Sequence, residues 1–328
     1  TKTRRRGNIL TILKGFSGKI IAAFLTDSII PLILINIIFY QINAKSSYNQ
    51  LTETIASTNR QIIQQIESRL SQMDNVANTL QYYMYTFPDR EGSLSTEDLD
   101  SFYTLRSNIN TLNSTYAFKH ICVFLKDSVR FSKEGLMFYP LSRLDEFQIS
   151  EDLLKNSRSD SYSIWNYTKG LQFPFMLDQT YDPVDTVNCI RVQKNGGELE
   201  YAFMISITAD EFGELLSSAY DNPEINGFLF DSSGTIITCG KGAEIPEDMI
   251  SKCMEQARKT QQLMETEHDL YYVNKLSNNW YYIAQVSEHY ITSSKYFYVR
   301  ILMIVLAFII PLTAVTVILI TKSLTKRI

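Results

Sequence analysis

The 328-residue sequence has little that metal or nucleophilic chemistry could use. Its four cysteines, Cys122, Cys189, Cys239 and Cys253, form no C-x-x-C pair, and His120, His268 and His289 stand far apart. Neither set has metal-ligand spacing, which argues against a zinc site. No G-x-S-x-G, H-E-x-x-H or P-loop occurs, and no histidine has a helical i, i+4 partner. The acid pairs Glu97-Asp98 and Glu151-Asp152 fit helix starts better than a glycosidase pair. No cofactor is expected. Positive charge is not in excess either: 31 Lys and Arg against 35 Asp and Glu leave a net charge of -4, so there is no global basic field for nucleic acid. A mean hydropathy of -0.10 with 20% charged residues excludes a polytopic transporter. Disorder is excluded as well, because 20 Tyr, 18 Phe and a 45% hydrophobic content can fill a sizeable core.

The apolar residues are concentrated in two runs. Residues 20–40 read I-I-A-A-F-L-T-D-S-I-I-P-L-I-L-I-N-I-I-F-Y, long enough to cross a hydrocarbon core of about 30 Å. Residues 301–320 read I-L-M-I-V-L-A-F-I-I-P-L-T-A-V-T-V-I-L-I, without a charge. A cleaved signal peptide is a poor reading of the first run, which is too long and lacks a small-x-small site. Lys2, Arg4, Arg5, Arg6, Lys14 and Lys19 precede it with no acid, and Lys322, Lys326 and Arg327 follow the second with no acid. Residues 43–298 hold 21 basic and 34 acidic side chains. The positive-inside rule then puts both termini in the cytoplasm and the large middle segment outside, in a plasma membrane. Asp27 is costly in lipid and reads as a partner-helix contact or a functional group. Pro31 and Pro311 each remove one helical hydrogen bond.

The middle segment is long enough for two modules and a connecting helix. Residues 44–87 contain no Gly or Pro, and Ile63, Ile66, Leu70, Met73, Ala77, Leu80, Met84 and Phe87 recur in steps of three and four. The stripe reads as packing on its own domain, with a dimer seam as the alternative. A second helix is expected from Ser95 or Thr96 to about Thr115. Strands follow at 120–125, 161–165, 187–192 and 199–207, with Asn195-Gly196-Gly197 as a hairpin turn, and then a helix over 210–219. A second round reads strand (227–230), turn (231–234), strand (235–238), helix (about 246–259) and a hairpin of 270–273 with 280–284. This is the order of a PAS-like mixed α+β module. No close repeat is visible, so the two rounds are alike in layout only.

The segments G-F-L-F-D-S-S-G-T-I-I-T (227–238) and N-N-W-Y-Y-I-A-Q-V-S (278–287) resemble the membrane-proximal half of Cache domains, and the chain resembles a double-Cache (dCache) receptor. The Pro-bearing run I-I-P-L-I-L-I and the helix S-T-N-R-Q-I-I-Q-Q-I-E-S-R-L-S-Q-M-D are similar to YesM-type bacterial sensor histidine kinases. The end I-T-K-S-L-T-K-R-I resembles the first turns of a HAMP linker, with Arg327 where chemoreceptors usually carry Pro. The resemblance implies an α+β fold with two PAS-like modules on a long N-terminal helix, flanked by two transmembrane helices. Its parts would be a basic N-terminus (1–19), a transmembrane helix (20–40), a signalling helix (41–90), a membrane-distal module (91–221), a membrane-proximal module (222–290), a second transmembrane helix (299–321) and the start of the linker (322–328). It implies sensing of a small solute and signalling to a kinase portion. No H-box, N-box or Gly-rich ATP lid occurs in these residues, so the expectation is a sensory half that is not itself an enzyme. Alternatives are the ectodomain of an AraC-type regulator or chemoreceptor, and a non-signalling surface scaffold.

The resemblance also places a ligand pocket in the distal module. That stretch is rich in aromatic residues and isolated charges: Tyr139, Arg143, Trp165, Tyr167, Phe173, Phe175, Asp178, Tyr181, Asp182, Asp185 and Arg191. Aromatic walls with a few fixed polar groups fit a sugar or another small organic solute. The competing reading makes the aromatics core and the acids solvated loop. The Arg-x-Trp-Tyr pattern of amino-acid receptors is missing, since Ser163 precedes Trp165 and Asn166 follows it. Expected partners are the extracellular solute or a solute-binding protein, membrane lipid and a second copy of the chain; nucleic acid is not one. The cysteines read as free and buried, with Cys122 and Cys189 on strands that could be neighbours.

Overall fold

The computed structural model describes residues 16–86, 96–126, 137–150, 154, 163–173, 183–196, 198–220, 222–240, 244–259, 263–266 and 269–325. Its contacts divide the chain into two bodies, Thr1–Ala56 with Ser287–Ile328, and Ser57–Val286.

The first body is helical. It holds the start of α1 (Phe16–Thr86) and α5 (Glu288–Thr325). Within α5, Val299–Ile320 has a mean hydropathy of 2.9 and is long and apolar enough to cross a membrane. Its Phe308 and Leu312 are 74% and 66% exposed. The expected span 20–40 lies within α1 but does not stand out as such a segment among the described residues. Thr26, Asp27, Ser28 and Asn36 interrupt its apolar run. Inside the helices polar side chains bond to the preceding turn: the Asn36 amide donates to Leu32 O at 2.7 Å and the Thr313 hydroxyl to Ile309 O at 2.6 Å.

The second body is built on the rest of α1. Ile62, Ile66, Leu70, Met73, Val76, Ala77, Leu80 and Met84 are all at most 5% exposed. The apolar stripe is thus buried within the chain, each large side chain contributing roughly 1.5–3 kcal/mol. The expected stripe is shifted at one end, where Ile62 rather than Ile63 is buried, because a 3.6-residue turn drifts against a heptad. Phe87 and the proline turn after it lie outside the described residues.

After α2 (Thr96–Tyr116) come β1 (His120–Leu125), β2 (Phe138–Pro140), a 3-10 helix (Leu141–Phe147), β3 (Ile164–Leu171), β4 (Val184–Asn195), β5 (Glu198–Thr208) and α3 (Ala209–Ala219). The five strands form one sheet in the order β2-β1-β5-β4-β3, parallel at β1–β2 and antiparallel elsewhere. The β4–β5 hairpin turns at Gly196, whose φ of +63° a residue without a Cβ adopts at no steric cost. Next come β6 (Ile225–Phe230), β7 (Ile236–Cys239), α4 (Glu247–Arg258), β8 (Leu263–Glu265), β9 (Asp269–Lys275) and β10 (Tyr281–Ser287). They form a second sheet, β7-β6-β10-β9-β8. Numbered within each sheet, both read 2-1-5-4-3. The strand order therefore repeats where the sequence does not, although β6–β7 is antiparallel where β1–β2 is parallel.

One face of the second sheet is sealed by α4: Cys253 and Met254 join Phe228, Phe230, Tyr271, Val273, Tyr281 and Ile283 in one cluster. On α1, the buried Asn59 accepts hydrogen bonds from the Tyr220 and Tyr282 hydroxyls, which ties the helix to β10 and to the end of α3. Arg69 on α1 pairs with Glu211 of α3 at 2.6 Å and donates to Tyr116 O at 2.9 Å. All four cysteines are free. Cys122 pairs with Met204 of β5, whereas Cys189 pairs with the next residue, Ile205. The two thiols therefore lie on opposite faces of the first sheet and cannot bridge.

Candidate ligand site

Among the described residues Arg191 is the buried side chain that carries a full charge, at 3% exposure. It stands on β4 on the face that also holds Cys189 and, on β3, Trp165 and Tyr167. Its guanidinium satisfies three acceptors: Ser163 Oγ at 3.0 Å, Gln81 Oε1 at 2.7 Å and Asp74 Oδ1 at 3.0 Å. Gln81 and Asp74 come from α1, so the network fixes the first sheet to the helix. The Ser163 hydroxyl donates to the same Oδ1. Burial pushes the adjacent Cys189 thiol up to about 12, against the pull of its hydrogen bond to Ser163.

Ser163 and Asp74 open onto a cleft of about 600 Å³. Leu70, Ser71 and Asp74 of α1 form one side, Ser163 and Trp165 another, and Ser232 with residues 277–280 the third. Trp165 meets Trp280 edge to face, with ring centroids 6.2 Å apart and planes at 71°. The turn carrying Trp280 is held by α1: Glu67 Oε1 accepts the Ser277 N–H at 2.7 Å and Oε2 accepts its hydroxyl. Within the turn Asn279 has a φ of +66°, a conformation Asn tolerates better than most residues. Asn278 Oδ1 accepts the Trp280 N–H at 3.2 Å, and its Nδ2 is buried without a partner among the described residues.

The remaining sequence candidates fall elsewhere. Tyr139, on β2, is 1% exposed and packs against Phe124 and Phe147 on the other face of the first sheet. Burial raises its hydroxyl pKa. Arg143 lies 5.7 Å from the Tyr139 ring and donates to Glu146 at 2.8 Å, which holds the Glu146 carboxyl below its ordinary value. Phe173 meets His120 edge to face at 5.0 Å. Near it the same face becomes polar, with buried Thr168, Thr186, Asn188 and Ser206 bonded to one another. Tyr167 shares the face of Trp165 and donates to Asp185 at 3.0 Å, and burial lifts its hydroxyl to about 12. Phe175, Asp178, Tyr181 and Asp182 lie outside the described residues. The structure thus joins Trp165 to Arg191 through Ser163 and separates both from Tyr139 and Arg143. Sequence reading missed Asp74, Asn278 and Trp280. One signal was there: the chain has only two tryptophans, and they meet in this cleft.

Two sheets of one strand order served by a single long helix form a mixed α+β architecture. It is similar in fold to solved extracellular domains. The extracellular domain of mmHK1S-Z3, described as a histidine kinase, is similar with a TM-score of 0.51 and 12% identity, over 76% of this chain and 97% of that one. That of mmHK1S-Z2 gives 0.50 and 11%, over 74% and 98%. The sensory domain of the Campylobacter jejuni chemoreceptor Tlp3 with isoleucine bound gives 0.47 and 12%, over 75% and 95%. No family model matches the chain, and no curated protein sequence matches it.

Proposed function

We propose that this chain is the sensory region of a bacterial membrane receptor, with a double-Cache ectodomain over residues 43–298 that binds a small extracellular solute and signals across the membrane. The observation that carries the reading is the repeated 2-1-5-4-3 sheet on one helix, in a fold similar to extracellular domains of histidine kinases. The charge bias around the two apolar runs supports two spans with cytoplasmic termini. The output is a histidine kinase portion acting in a homodimer, and this region performs no catalysis itself. Within the ectodomain, the cleft between α1, β3 and the 277–280 turn is the site the geometry favours. Solute bound there favours one of two arrangements of the body, with a coupling of about 1–3 kcal/mol in typical receptors.

The test has two arms. Protease added to intact cells should cut within residues 43–298, and complete protection of that segment refutes the topology. Thermal unfolding of the detergent-solubilised full chain against sugars, organic acids, peptides and amino acids should give at least one ligand that raises the midpoint. No stabilisation by any class favours the scaffold reading.

A further inference from the structure

We propose that the cleft between Trp165 and Trp280 takes an uncharged polyhydroxylated solute, a sugar or cyclic polyol; this deepens the sensing function above and rests on it. Charge sets the class. Among the described residues the one charged side chain lining the cleft is Asp74, and Arg191 already matches it at 3.0 Å. The rest of the described lining is Leu70, two tryptophans and Ser or Asn side chains. A zwitterion or a phosphate would give up its hydration without meeting an unmatched counter-charge. A hydroxyl needs both a donor and an acceptor, and the cleft offers both. Both of Asp74's hydrogen bonds end on Oδ1, leaving Oδ2 to accept. The buried Asn278 Nδ2 lacks a partner among the described residues, and turning this amide of the cleft wall toward a ligand oxygen recovers that loss. Ser71 and Ser232 can do either. Trp165, only half-buried, gives the C–H face of a sugar ring an apolar surface to lie on. The site is also built to stay in shape, because Glu67 clamps the 277–280 turn onto α1 and the Arg191 network holds Ser163.

Both tryptophans of the chain line this cleft, so the intrinsic emission of the whole protein reports on it. The full chain in detergent micelles is titrated with D-glucose, maltose and myo-inositol, and with L-isoleucine as the zwitterion. Unfolding temperatures are measured in parallel. The expected result is a saturable emission change with a neutral probe, none with L-isoleucine, and binding about tenfold weaker or less in Asn278→Asp and Ser71→Phe. Ser71 is exposed on α1, so its variant keeps the fold even where the turn variant does not. Saturation by L-isoleucine alone overturns the ligand class. A neutral probe that stabilises the protein without moving the emission, equally in both variants, leaves sensing intact and overturns this site. Silence from every probe in both measurements overturns the inference, while the protease test still judges the receptor reading.

Discussion

Replacing Asp74 by Ala should cost far more than the loss of a surface carboxylate. Arg191 is 3% exposed, and without Asp74 its guanidinium keeps only the neutral Gln81 and Ser163. Breaking a buried pair from one side costs about 3–5 kcal/mol, because the other charge is left uncompensated. The Asp74 side chain is 42% exposed, so truncation admits water toward the guanidinium and the low end applies, about 3 kcal/mol. For a body the size of Ser57–Val286 that lowers the melting midpoint by roughly 6–12 °C. Adding Arg191→Met removes the stranded charge and fills its place with an apolar chain. Only the bonds to Gln81 and Ser163 are then missing, a residual of about 1–2 kcal/mol. The double variant should therefore be more stable than Asp74→Ala alone. Thermal unfolding followed by tryptophan emission measures all three. A midpoint for Asp74→Ala within about 1 °C of the parent, or a double variant whose losses simply add, refutes the reasoning.

Three further outcomes are expected. Asn59→Leu, which removes the acceptor shared by the Tyr220 and Tyr282 hydroxyls, should cost about 2 kcal/mol in urea unfolding; a negligible change would show that the triad does not hold α1 to the second sheet. Stability should fall as pH rises above 9. Burial keeps the Cys189 and Cys253 thiols protonated in the folded state up to about 12 against 9.0 when exposed, and the Tyr220 phenol up to about 12 against 10.0. The unfolded chain then binds fewer protons, so this contribution is complete below 9.0 and lost as pH climbs toward 12. A flat profile from pH 8 to 11 contradicts it. An aromatic disulfide reagent at pH 8 should modify Cys239 first, since it is half-buried while the other three thiols are buried. Simultaneous labelling of all four in the folded protein would be inconsistent with the packing.

Period and punctuation carried most of the fold. The sequence marks a strand at 120–125 with the bounds the structure has, and the Asn-Gly turn before β5 announces the hairpin. The three-residue strands β2 and β8 leave no such mark, because so short a run has no period to count. The site was harder, since alternation says which residues share a face but not what each face meets. Tyr139 and Trp165 look alike in sequence, yet one is enclosed by Phe124 and Phe147 and the other borders the cleft. Asp74 and Asn278 are some two hundred positions apart and each is unremarkable among polar neighbours. Only the docking of the second module on α1 makes them one site.

The shared strand order carries a consequence for biogenesis. In each sheet the strand at the centre is the one synthesised last, β5 in the first and β10 in the second. Until that strand leaves the ribosome, its two flanking pairs present open edges that could join the wrong neighbour. The first sheet escapes this at residue 208, some eighty residues before the second. The earlier module can thus serve as a finished template on α1 while the later one waits for its keystone, so truncations that stop short of Tyr281 should aggregate through the second module rather than the first.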